Sequence, residues 1–206
     1  MKKFFEIGGF IAGAILIAFG VAVIALGATG RSTVSSNLRQ EQITGSPDMT
    51  PALIKVEATK AGLTNVKLPT CSVAGKSIDT GGEARCFAQY MRIHTLESTG
   101  GVPYAQMPRF ATADGKGTND ATLALQSNGK PVSNAAREIW VTETALTTAL
   151  NMSYMADQLS LFSVVIGIAL LLSGVGFVVL DWAALHRRRV KEASKAVVQS
   201  RQAAIA

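Results

Sequence analysis

The chain has 206 residues, 48% of them apolar and 17% charged, with a mean hydropathy of +0.27 and a formal net charge of +6. That length supports one compact soluble domain at most, and the apolar excess predicts that part of the chain lies in lipid. A positive balance suggests nucleic acid only if the charge sits on a soluble domain, so its location has to be found first.

Residues 1–6, with Lys2, Lys3 and Glu6, read as a short cytoplasmic tail. Residues 7–30 follow with no charge over 24 positions, and a helix needs about 20 apolar residues to cross a bilayer. Lys2 and Lys3 before this run, with the small residues Ala25, Gly27 and Ala28 near its end, also match a cleavable signal peptide. A signal core is usually about 7 to 15 residues, so the longer run here favours a retained membrane anchor, with cleavage as the alternative.

Gly13, Gly20 and Gly27 recur seven apart, and Gly9 stands four before Gly13. Seven residues is close to two helical turns, so these glycines share a face where another backbone approaches closely. Ser163, Gly167 and Gly174 give a second apolar run, residues 158–180, a similar stripe. The expectation is that the two spans pack on each other within one chain, with neighbouring protomers as the alternative partner.

Between the spans, residues 31–157 read as a mostly helical domain. Residues 32–44 carry Val34, Leu38 and Ile43 at roughly helical spacing and extend the first span as a stalk. Thr50 and Pro51 supply an N-cap and an N1 proline, which predicts a short helix over 52–61 ended by Gly62. Residues 63–79 read as irregular, with room for a short strand. After Gly81 and Gly82, residues 83–97 place Phe87, Tyr90, Met91, His94 and Leu96 as a half-buried helix stopped by Gly100 and Gly101. Residues 112–131, rich in Gly, Asn, Asp and Thr, read as a loop. A cap at Ser133 or Asn134 then opens a long helix, 134–157, that continues into the second span and would couple the domain to the membrane helix.

Residues 181–206 form a basic tail. Residues 31–158 hold 12 basic and 11 acidic side chains, so +5 of the +6 lies in the two tails. Basic residues beside a span are retained in the cytoplasm. Lys2, Lys3, Arg187, Arg188, Arg189 and Lys191 therefore predict both termini inside the plasma membrane and the central domain outside it. Arg187 to Lys191 also suit anionic lipid headgroups. Nucleic acid is not an expected partner, because no aromatic platform is interleaved with the charges.

That orientation puts Cys71 and Cys86, the only cysteines, where disulfides persist, and predicts that they are joined. The spacing is not that of a redox pair. His94 and Glu97 stand one helical turn apart and offer two metal ligands, but a site needs three or four and no second histidine lies in this segment, so no metal is expected. Asp114, Thr118 and Asp120 alternate like a calcium loop, yet Lys116 stands where an acceptor oxygen is needed. Gly115 to Thr118 is a fragment of a phosphate loop without its flanking strand and helix. One outer histidine and no nucleophile elbow leave a hydrolytic triad unsupported. No catalytic residue and no cofactor are expected, and neither span carries an interior ionisable group for a proton relay.

Residues 87–110, with His94-Thr-Leu-Glu97 and Gly101-Val-Pro-Tyr104-Ala-Gln-Met107, together with Trp140-Val-Thr-Glu-Thr-Ala-Leu and Asn151-Met-Ser-Tyr-Met-Ala, resemble a group of actinobacterial two-span membrane proteins of unknown function. Members are sometimes labelled aromatic ring-opening dioxygenases. Such extradiol enzymes are soluble and use two histidines and a carboxylate around iron, which this chain does not supply. The resemblance implies an architecture and a source, and no activity.

The expected class is thus a mainly α membrane protein: two transmembrane helices flanking a mostly helical, disulfide-stapled extracytoplasmic domain. The expected function is a non-enzymatic, structural or interaction role in the cell envelope, by self-association or as an accessory subunit of a membrane complex. A sensor or small-ligand binder signalling through the second span is the alternative. An oligomeric two-span channel stands third, because neither span shows a polar pore face beyond Ser163 and Ser173.

Overall fold

The computed structural model describes residues 2–203, with side chains described at 8–195, 199 and 200. Its elements are α1 (Lys2–Gln40), α2 (Pro51–Lys60), α3 (Gly81–Ser98), a 3-10 turn (Tyr104–Gln106), β1 (Gln126–Ser127), β2 (Lys130–Pro131) and α4 (Ala135–Ala203). They divide into two compact units, Met1–Gly30 with Leu159–Ala206, and Arg31–Gln158. The segments Gly8–Gln40 of α1 and Ala135–Lys195 of α4 are long and apolar enough to cross a membrane.

In the first unit, α1 and α4 run antiparallel at backbone contact. A Cβ on Gly13 would stand 2.9 Å from the Gly174 carbonyl oxygen, and one on Gly20 would stand 2.8 Å from that of Gly167. One on Gly27 would meet the Ser160 carbonyl at 2.6 Å. Each step of seven along α1 thus meets a step of seven back along α4, and at these crossings no side chain fits without pushing the helices apart. Gly9 faces the Asp181 carboxylate. The place opposite Gly27 belongs to Ser160, while the Ser163 hydroxyl donates to the Leu159 carbonyl within its own helix, 2.9 Å. Phe19, Leu26, Leu172 and Leu180 point outward, exposed.

The second unit has an aqueous-type core. Thr50 caps α2 by accepting from Leu53 N–H at 3.3 Å, with Pro51 at N1. Thr80 and Glu83 close a capping box on α3. α2 buries Ile54 and Ala58, and α3 buries Ala84, Ala88, Tyr90 and Ile93. These meet Leu38, Met49, Val73, Ile78 and Leu150 in one cluster. Leu96, Met107 and Trp140 form a second. Cys71 and Cys86 are joined, tying the irregular segment to α3. Gly81 lets the start of α3 lie on α4, since a Cβ there would stand 2.9 Å from Tyr154 Cα and 3.0 Å from the Ser153 carbonyl oxygen. Arg31 and Asp157 pair at 3.0 Å in the same unit.

The expected helices are all present, with shifts of a residue or two at most boundaries. The stalk is helical to Gln40 and ends there, Gln42 taking a left-handed conformation (φ 51°). Residues 63–79 hold no ladder; chain pairing is limited to isolated bridges, Thr44 with Ser77 and Gly45 with Ala74. The segment expected to be a plain loop contains a two-strand hairpin. Asn128 and Gly129 at its tip both have positive φ (51° and 72°), the Asn-Gly turn whose twist matches antiparallel strands.

Candidate functional site

The chemistry-bearing side chains that converge in the Arg31–Gln158 unit are Asp48, Glu57 and His94, with one donor atom from each lying within 4.8 Å of the others. Three local structures deliver them. Asp48 stands two residues before the Thr50 cap, in a turn closed by Met49 N–H donating to the Ser46 carbonyl, 3.1 Å. Glu57 lies on α2 one turn after the buried Ile54, and His94 lies on α3 one turn after the buried Tyr90. Packing of those buried faces brings the carboxylates to the imidazole.

His94 Nε2 is 3.2 Å from Asp48 Oδ2 and 3.7 Å from Glu57 Oε2. The nitrogen is buried and makes no hydrogen bond among the described residues, because Asp48 Oδ2 lies off its N–H direction and Glu57 Oε2 is too distant. Ser46 Oγ donates to Asp48 Oδ1, which leaves Oδ2 turned toward the histidine. The same carboxylate acts on Tyr90. Burial first, then the negative charge of Asp48, holds the Tyr90 phenol above its ordinary value of 10.0. Tyr90 Oη donates to the Cys71 carbonyl at 2.6 Å.

The pairing of His94 with Glu97 considered from the sequence is not the one found. Glu97 is exposed, and the carboxylates at His94 come from 46 and 37 positions upstream. Spacing along α3 could not reveal them. The usable signal was the Thr50-Pro51 cap, which fixes where α2 begins, but which faces of α2 and α3 meet is a tertiary matter.

Asp114 and Asp120 are taken up locally. Asp114 accepts from Thr112 Oγ1 and Lys116 N–H, and Asp120 accepts from the hydroxyl and N–H of Thr122. These hydrogen bonds, the hydroxyl one first in each case, hold both carboxyls below the ordinary carboxylate range.

Two apolar features accompany the cluster. A cleft of about 420 Å³ is lined mainly by Leu38, Ile43, Phe87, Met91, Leu146 and Leu150. On the part of α4 within this unit, Val141, Ala145, Thr148, Met152 and Met155 are all exposed, at intervals of four, three, four and three residues. That is the spacing of a coiled-coil seam. Trp140, by contrast, is buried; its Nε1 donates to the Val102 carbonyl at 3.0 Å and Arg92 lies over its ring.

Of the other expected site residues, Arg187, Arg189 and Lys191 are exposed on α4, as is Arg188. The side chains of Lys2 and Lys3 lie outside the described residues. No family model, no curated protein and no solved structure matches this chain.

Proposed function

We propose that this chain is a non-enzymatic integral membrane protein of the cell envelope that self-associates through its second long helix. In this reading residues 7–30 and 158–180 cross the cytoplasmic membrane, both termini are cytoplasmic and the central unit is outside. The two long apolar helices, the basic flanks and a disulfide that needs an oxidising compartment support it. The likeness to actinobacterial two-span proteins belongs to the same proposal.

The observation that carries the reading is the exposed α4 seam Val141, Ala145, Thr148, Met152 and Met155. Apolar side chains at heptad spacing, with small residues between them, leave holes for the knobs of a second helix. The glycine stripes do not serve as the seam, because Gly13, Gly20, Gly27, Gly167 and Gly174 already lie against backbone of their own chain.

Single cysteines test it in native membranes, since Cys71 and Cys86 are bonded to each other and no described cysteine is free. Thr148→Cys and Met152→Cys should give a disulfide-linked dimer under mild oxidation, and Ser127→Cys on the exposed hairpin should not. Monomer at both seam positions sinks self-association through α4. Labelling of the same cysteines in intact cells by a membrane-impermeant maleimide tests the orientation.

The apolar cleft favours a second reading, a small-ligand binder for an apolar compound. Native mass spectrometry of the purified chain should then show a bound apolar molecule that Leu146→Asp removes.

A further inference from the structure

We infer that Asp48, Glu57 and His94 form a three-ligand site for a borderline divalent cation of the zinc class, with a remaining position open to water. The geometry separates this from a hydrogen-bonded ion pair. A protonated imidazole offers one N–H at Nε2, and a hydrogen-bonded ion pair closes when a carboxylate oxygen lies along that bond. Here Nε2 is buried, Asp48 Oδ2 at 3.2 Å lies off its N–H direction, and Glu57 Oε2 at 3.7 Å is beyond hydrogen-bond reach, so neither accepts from it. Ligands set tetrahedrally around one zinc at its usual bond lengths stand about 3.4 Å apart, each off the axis of its neighbours' lone pairs. The two observed separations bracket that spacing.

The donor set selects the metal class. One imidazole with two carboxylates and no thiolate suits zinc; soft cuprous copper would want sulfur, and calcium would want six or more oxygens. Two carboxylates also neutralise a divalent charge. The surroundings are those of a held ligand set, because Ser46 Oγ fixes the second oxygen of Asp48 and so aims Oδ2. A bound cation would clamp α2 and the Ser46–Thr50 turn onto α3, adding to the covalent tie at Cys86.

The test uses the full-length chain in detergent with its disulfide intact, titrated calorimetrically with zinc chloride near pH 7. One equivalent per chain is expected. His94→Ala and Asp48→Asn should each lower affinity by at least about tenfold, while Glu97→Gln and His186→Ala should leave it unchanged. Cobalt loading of the unaltered protein gives a reading independent of any variant's folding: a d–d absorption band in the visible is expected, without thiolate charge transfer. No binding above buffer, binding lost with His186→Ala and kept in His94→Ala, or cobalt that shows only the spectrum of the hydrated ion would each overturn the proposal.

Discussion

The two units bring their elements together in different ways, one by glycine and the other by large buried side chains and a disulfide. In the paired helices, closeness is achieved by leaving side chains out: Gly13, Gly20, Gly167 and Gly174 bring backbone to backbone, while Phe19, Leu26, Leu172 and Leu180 turn outward. In the Arg31–Gln158 unit large side chains go inward, with Tyr90 and Ile54 at 0% exposure, and the chain is stapled and capped. Water explains the second pattern, since burial of apolar surface stabilises it by about 25 cal/mol per Å². The membrane placement proposed above accounts for the first, because apolar side chains gain little by leaving lipid and close van der Waals packing is what remains. Gly81 shows that the glycine device also works in the central unit, at the one place where the start of α3 lies on α4.

Three sets of substitutions test this contrast. The largest effect is expected from removing the staple. Cys71→Ser with Cys86→Ser releases a closure of 15 residues and should cost the central unit about 3 kcal/mol in chemical denaturation. A cost near zero would mean that the capped helices hold this unit alone.

Next comes Gly20→Ala in the paired helices. The new Cβ would meet the Gly167 carbonyl and Leu171 N–H, both at 2.8 Å, so the backbones must separate, at about 1–3 kcal/mol. Gly176→Ala, where a Cβ meets nothing within 4 Å, should be neutral or stabilising by up to about 1 kcal/mol. Thermal unfolding of both variants in the same detergent checks the pair, and equal effects would refute packing by glycine contact.

The smallest effect is at Tyr90. Its folded pKa is raised, so the stabilisation is complete below about pH 10 and is lost as pH rises through the folded value. Unfolding free energies of wild type and Tyr90→Phe should therefore converge at alkaline pH. A gap that stayed constant through that range would show that the fold does not favour the protonated phenol.

Much of this was legible locally. The two uncharged runs, the Thr50-Pro51 start of α2, the Gly100-Gly101 stop and the long α4 all follow from composition and nearest-neighbour rules. The Asn128-Gly129 hairpin was legible too, as an Asn-Gly turn, but it was hidden inside a segment whose polar composition reads as loop. The Asp48, Glu57 and His94 cluster was not legible. His94 was read against Glu97 because a helix displays its own i+3 neighbour, whereas its partners come from two other segments.

What depends on neighbours along the chain can be read without the fold: which stretches are apolar enough to be helices of membrane-crossing length, where helices begin and stop, and where the charge lies. Which faces meet is a matter of long-range packing. Helical periodicity says that Gly20 and Gly167 each lie on a small-residue face, and that Ile54 and Tyr90 each point to a core. It does not contain the register that sets Gly20 against Gly167 or Asp48 against His94. That register is a long-range choice, set by how whole surfaces fit, and no local rule carries it.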